Sequence, residues 1–241
     1  GFCGIVAGRS HRCWGHNLNG LGLGQFTDTA VGDDFACALD AAGAVRCDPG
    51  NRDPRGAGSK PAVAEEPDAS VDAAVPRARI AALAAQGTEL CLLGAEGDAS
   101  CFSRDPECTL TPPEGAHFTE IAVGKGCAAC GITRDAKVSC WGGLHGTELA
   151  VTAPKQLAVG QGFACVIDGT GLLLCSGAQA PAGARATAVE ARGARVCWQD
   201  ETGALACNQG AVPGAAIRPR TWAITEADLC YETRPNQGDI A

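Results

Sequence analysis

The sequence predicts an all-β fold: a β-propeller of six small blades, with seven as the alternative, each built on a disulfide-bridged hairpin. Three observations carry the prediction. They are a cysteine spacing that recurs without variation, a small-apolar segment ending in glycine ahead of several pairs, and a composition suited to short strands and tight turns.

Twelve of the 15 cysteines form six C-x9-C pairs: Cys3/Cys13, Cys37/Cys47, Cys91/Cys101, Cys130/Cys140, Cys165/Cys175 and Cys197/Cys207. The first cysteines follow one another at 34, 54, 39, 35 and 32 residues, so each unit is one repeat plus a variable connection. Between the cysteines lies an Asp and Gly turn, as in Asp40-Ala-Ala-Gly43, Asp168-Gly-Thr-Gly171 and Asp200-Glu-Thr-Gly203. A turn centred on Ala42 sets Cys37 opposite Cys47 on antiparallel strands. Facing residues there have Cα atoms roughly 4.5–5.5 Å apart, a span a disulfide bridges. The other pairs centre in the same way, so six local bridges are expected. Zinc is the competing use of so many thiols, but pairs nine residues apart on facing strands do not resemble C-x2-C knuckles.

Ahead of the pairs run Thr29-Ala-Val-Gly32, Ile121-Ala-Val-Gly124 and Leu157-Ala-Val-Gly160. Glycine at 33 residues and proline at 13 punctuate a chain with only 5% aromatics, a profile of short strands rather than long helices. A 46% hydrophobic share is enough to bury a core. Net charge is −8 with no long Lys/Arg run, which excludes binding to nucleic acid through a concentrated basic surface. No stretch approaches the roughly 20 apolar residues of a membrane span. The chain opens on Gly1 without a leader pattern, which fits a processed, mature protein. Disulfides on this scale belong to an oxidising, secreted or cell-surface setting.

The Ala-Val-Gly segment with its cysteine pair, the Cys13-Trp14-Gly15 triplet and the Asn17-Leu-Asn-Gly20-Leu-Gly22-Leu-Gly24 stretch resemble the regulator-of-chromosome-condensation repeat, whose units form propeller blades. The cysteine-paired form is similar to the repeats of crinkly-type plant receptor ectodomains. The resemblance spans nearly the whole chain and implies the fold; propellers are platforms for unrelated tasks. The founding member's role as a nuclear exchange factor does not suit an acidic, disulfide-rich chain.

One domain, 1–241, is expected. The small-apolar strand missing ahead of Cys3 is supplied in this reading by Trp222–Thr225, which closes the ring and leaves 226–241 as a tail. Three cysteines stand outside the pairs. Cys108 and Cys127 flank the Ile121 strand and suit a loop-tying bridge, leaving Cys230 for an intermolecular bond or a free thiol. Cys127-Ala-Ala-Cys130 has redox or metal spacing, but Cys130 already belongs to a repeat pair. The 48–79 connection, with Pro49, Pro54, Pro61, Pro67 and Pro76 among acidic residues, reads as a solvated excursion, with a binding arm as the alternative.

Chemistry is not visible in the sequence. His11, His16, His117 and His145 fall in separate repeats without metal-ligand spacing, and no nucleophile elbow, phosphate loop or calcium loop occurs. No catalytic residue, metal or cofactor is expected. The expected role is a non-enzymatic extracellular module that binds protein partners or itself; the alternative is a propeller that binds carbohydrate or metal.

Overall fold

The structure is a computed structural model. It describes residues 2–6, 10–14, 26–33, 35–48, 79–147, 149–177, 182–209, 212, 221–224 and 229–232. In 2–6, 10–14, 48, 221 and 230–232 only the backbone is described.

Seven antiparallel sheets are described, and no helix. The first is a pair, β1 (Phe2–Val6) and β2 (Ser10–Trp14). Five three-stranded sheets follow. They are β3 (Phe26–Val31), β4 (Ala36–Asp40), β5 (Val45–Asp48); β6 (Ile80–Gln86), β7 (Glu89–Gly94), β8 (Ala99–Ser103); β9 (Phe118–Gly124), β10 (Ala128–Thr133), β11 (Val138–Gly142). Then come β12 (Gln156–Gly160), β13 (Phe163–Ile167), β14 (Leu173–Ser176), and β15 (Ala188–Arg192), β16 (Arg195–Gln199), β17 (Leu205–Cys207). A last pair is β18 (Thr221–Ile224) and β19 (Leu229–Glu232). This is a β-propeller: each three-stranded sheet is a blade with an inner, a middle and an outer strand.

The repeat cysteines face each other in every middle-to-outer pairing, from Cys37↔Cys47 to Cys197↔Cys207. Bridges join Cys37–Cys47, Cys91–Cys101, Cys130–Cys140, Cys165–Cys175 and Cys197–Cys207, with Cα–Cα distances of 4.0–4.1 Å. That is a little closer than the roughly 4.5 Å of a narrow unbridged pair. The backbone register also pairs Cys3 with Cys13, whose side chains lie outside the described residues. The five middle-strand cysteines are 0% exposed, while their outer-strand partners range from buried Cys140 to exposed Cys47, so each bridge runs from the core toward the rim.

That core is a series of layers between blades. One layer sets Ala30, Phe35, Cys37 and Leu39 against Ile80, Leu83, Ala85, Leu90 and Leu92. The next gathers Cys91 and Leu93 with Phe118, Ile121, Val123 and Trp141, the Phe118 and Trp141 rings 5.2 Å apart. Small side chains on the inner strands let blades approach closely. A Cβ on Gly124 would overlap the Gly160 carbonyl, and one on Gly160 would stand 2.7 Å from the Gly193 carbonyl. The repeated glycine of Ala-Val-Gly is therefore a demand of its surroundings rather than of its own torsion angles: the next blade's backbone at Gly124, and the Phe35 and Phe163 rings at Gly32 and Gly160.

The turn aspartates close the middle-to-outer hairpins. The Asp168 carboxylate accepts the Thr170 and Leu172 amides at 2.8 and 2.9 Å, and Asp200 treats Thr202 and Ala204 alike. The Thr170 hydroxyl donates to the same carboxylate at 2.7 Å. It is the largest cause holding the Asp168 carboxyl below its ordinary range, with the Leu172 and Thr170 amides behind it.

The expected ring closure differs. Trp222–Ile224 pairs with Leu229–Tyr231, and the tail assigned to 226–241 contains β19. Cys230 follows Cys197 at repeat spacing, so the segment after β18 folds back as its own middle strand, with Ala223↔Cys230 matching Ala30↔Cys37 and Ala84↔Cys91. Among the described residues β1–β2 has no inner strand and β18–β19 no outer one. β1 packs on β3 and β18 on β15. The 49–78 stretch of the long connection, Trp14-Gly15's glycine and Asn17–Gly24 lie outside the described residues.

Candidate functional site at the channel mouth

Six inner strands, β3, β6, β9, β12, β15 and β18, line a central cavity of about 580 Å³. An inner strand pairs on one side only, so its other edge turns unpaired backbone groups toward the cavity. The glycine position of the repeat lies at one end of this channel. It is Gly32, Gly124 and Gly160 in three blades, but Gln86 in β6 and Arg192 in β15.

Those two side chains occupy the mouth. Gln86, 4% exposed, donates from Nε2 to the carbonyls of Val123, Val159 and Ala191 at 3.3, 3.2 and 3.0 Å. Its Oε1 accepts the amides of Lys125 at 3.2 Å and Gly193 at 2.7 Å. Arg192 Nη1 reaches back across the ring to the carbonyls of Val31 and Ala85 at 2.9 and 3.1 Å.

A second departure sits beside them. The β9–β10 turn is one residue longer than its counterparts, and Cys127 there has φ 62°. Its amide donates to Glu89 Oε1 at 2.9 Å, while Glu89 Oε2 accepts Thr88 N–H at 2.9 Å, so this buried carboxylate is satisfied by backbone. Cys127 is bridged to Cys108, Cα–Cα 5.3 Å, which ties the connection after β8 to the mouth. The bridge uses the thiol of the C-x2-C pair that Cys130 does not share. Nearby, Lys125 stands 3.4 Å from Asp33, and the Arg104 guanidinium lies 5.1 Å above the Phe35 ring.

Along the inner strands, acidic and amide side chains stitch neighbours together. Asp28 accepts Leu83 N–H at 2.8 Å, Glu120 accepts Leu157 N–H at 2.8 Å, and Gln156 accepts Val189 N–H at 3.2 Å. In β15 the residue opposite the middle-strand cysteine is Glu190, where β3, β6, β9, β12 and β18 have alanine. Glu190 accepts Ile224 N–H at 3.2 Å. Burial pushes its carboxyl up to about 7 against the pull of that amide and of Arg192. Burial raises Asp28 and Glu120 as well.

Among the described residues no three His, Cys, Asp or Glu side chains are grouped to hold a metal. His117 Nδ1 lies 3.2 Å from the Glu96 carbonyl, away from the channel, and His145 sits in the turn after β11. The His11 side chain, His16 and the Cys230 side chain lie outside the described residues. Gln86, Glu89, Glu190 and Arg192 were not singled out by motif, since each lies in an ordinary-looking strand or turn. Aligning the repeats on the middle-strand cysteine would have exposed Gln86 and Arg192, because these two copies place a long polar residue where three others place glycine.

The arrangement defines a disulfide-bearing repeat propeller with a side-chain cap across its channel. No protein-family model matches the sequence, and no curated protein does. Solved structures do. The ectodomain of the Physcomitrella patens receptor kinase CR4 is similar at 23% identity and TM-score 0.64, covering 92% of this chain, which spans 60% of that one. The CRINKLY ectodomain of the Arabidopsis thaliana receptor kinase ACR4 is similar at 21% identity and TM-score 0.60, over 90% of this chain and 78% of that one. Prp20p of Saccharomyces cerevisiae, whose structure was described with its binding to Gsp1p and histones, is similar at 13% identity and TM-score 0.56, over 76% and 57%. The fold is thus that of the regulator-of-chromosome-condensation repeat propellers, in the disulfide-bearing form.

Proposed function

We propose that the protein is a non-enzymatic, extracellular interaction module that binds a protein partner, or a second copy of itself, through the face at the channel mouth. The observation that carries this reading is the convergence of the repeat's departures there: Gln86, Glu89, Arg192 and the Cys108–Cys127 bridge all brace one face. Turns held on a rigid scaffold are the usual carriers of recognition. Asp33, Arg104, Lys125 and Gln161 supply that face with charge and hydrogen-bonding groups. The bridges support an oxidising, extracellular setting, and two of the structural relatives are receptor-kinase ectodomains.

The test places a photo-crosslinking residue at Gln161 on this face, or at Thr202 on the opposite rim, and exposes the oxidised protein to the surface of the cells that make it. Crosslinked adducts from Gln161 but not from Thr202 support the reading; equal labelling sinks it. Mass photometry of unpurified protein separates a partner from self-assembly.

A second reading rests on the cavity, whose volume falls within the range of small-ligand sites. Glu190 lines that cavity at the position where five other inner strands have alanine. Glycan and metal binding assays with Glu190→Gln as the control test it.

A further inference from the structure

We propose that the channel mouth is a ring of backbone carbonyls suited to a cationic or ammonium-like donor, and that its occupant is the chain's own Gln86 amide and Arg192 guanidinium. Together they lock the inner strands to one another across the centre.

The ring is set by the repeat. Val31, Ala85, Val159 and Ala191 each lie six residues before the middle-strand cysteine, and Val123 lies seven before, in the blade whose turn is one residue longer. All five carbonyls project from the unpaired edges of inner strands, so no sheet partner satisfies them. Converging carbonyls of this kind are the groups that replace the hydration shell of a cation. Here every one of the five is met by a side chain: three by Gln86 and two by Arg192.

The two residues act reciprocally. Gln86 leaves β6 and reaches β15, through the Ala191 carbonyl and the Gly193 amide. Arg192 leaves β15 and reaches β6, through the Ala85 carbonyl, and β3, through Val31. The stretch of ring between β15 and β3 holds the two incomplete sheets, which do not pair with each other among the described strands. Arg192 crosses that gap directly. Among the described residues Arg192 spans the gap that no shared sheet closes, and a residue without donors would leave three inward carbonyls to water at position 86 and two at position 192.

The experiment uses the full oxidised chain and amide hydrogen exchange. Gln86→Met is expected to accelerate exchange at the Lys125 and Gly193 amides by about tenfold or more. Arg192→Met is expected to do the same at the Asp33 amide, which donates to the Gly87 carbonyl across the β3–β6 junction at 2.7 Å. Arg192→Gly restores the residue of the other repeats and vacates two carbonyls. Millimolar methylguanidinium, but not equal sodium chloride, is expected to slow the Asp33 amide again. Unchanged exchange in both methionine variants overturns the lock, and so does an identical response to the two salts. If Arg192→Met does not fold, Arg192→Lys decides: its ammonium keeps a donor for the carbonyls, so a folded lysine variant supports the lock and an unfolded one overturns it.

Discussion

The hairpin layers and the channel mouth join the same blades by different chemistry. Between blades, the layers use repeated apolar side chains packed around buried bridges, as where Cys91, Phe118, Val123 and Trp141 meet. Such contacts are interchangeable from one blade to the next. At the mouth, the joints are polar and individual: one glutamine, one arginine, one glutamate and the Cys108–Cys127 bridge. Burial of apolar area is non-directional, so it can be repeated around a ring. Hydrogen bonds to specific carbonyls are directional, so a single pair of side chains can serve five strands. The first device sets how strongly neighbours adhere; the second sets how the ring as a whole is held.

The largest expected effect breaks a layer. Trp141, 2% exposed and packed on Phe118, contributes through volume, since its Nε1 has no hydrogen-bond partner among the described residues. Trp141→Ala is expected to destabilise by roughly 3–5 kcal/mol, read by chemical denaturation under oxidising conditions.

The channel answers to pH where the layers do not. Folding favours the protonated form of Glu190, whose carboxyl is raised from 4.5 to about 7. Its stabilising contribution is therefore complete below pH 4.5 and is lost as pH rises through about 7. The difference amounts to something on the order of 3 kcal/mol. Glu190→Gln is expected to flatten the fall in stability over that window, as read in melting curves at stepped pH. A variant that keeps the wild-type slope would move the cause to Asp28 or Glu120.

Comparing the two kinds of bridge sharpens the contrast further. Replacing Cys130 and Cys140 together by serine is expected to lower stability by roughly 3 kcal/mol, and replacing Cys108 and Cys127 by a similar amount. Only the second pair is expected to speed exchange at the Cys127 amide, which Glu89 holds at the mouth. The smallest effect lies on the surface. Lys125→Ala removes a half-exposed pair with Asp33 and is expected to change stability by less than about 1 kcal/mol. Its backbone bond to Gln86 remains.

Much of the fold was legible because its period is local. A disulfide between facing residues of one hairpin requires only that the turn be centred, and the spacing of Cys37 and Cys47 states where the centre falls. The Asp turns and the Ala-Val-Gly strands are legible for the same reason. Ring closure was harder to read. Trp222–Thr225 has the pattern of an inner strand, but an inner strand accepts any middle strand of matching pattern, and both Phe2–Val6 and Leu229–Glu232 qualify. The nearer segment in sequence took the place, as a short hairpin loop is entropically easier to close than a ring of more than two hundred residues.

The candidate site was the least legible part. Gln86 and Arg192 look like ordinary polar ends of strands, and Glu190 like one more surface acid. Periodicity and cysteine spacing set the blades, their bridges and the glycines that let them approach, since those follow from chain geometry within some 40 residues. The partners of Gln86 lie 37, 73 and 105 residues away, and those of Arg192 as far as 161. No local pattern encodes such distances. Only bending the row of blades into a ring brings five equivalent carbonyls to one point, where two side chains can reach them all.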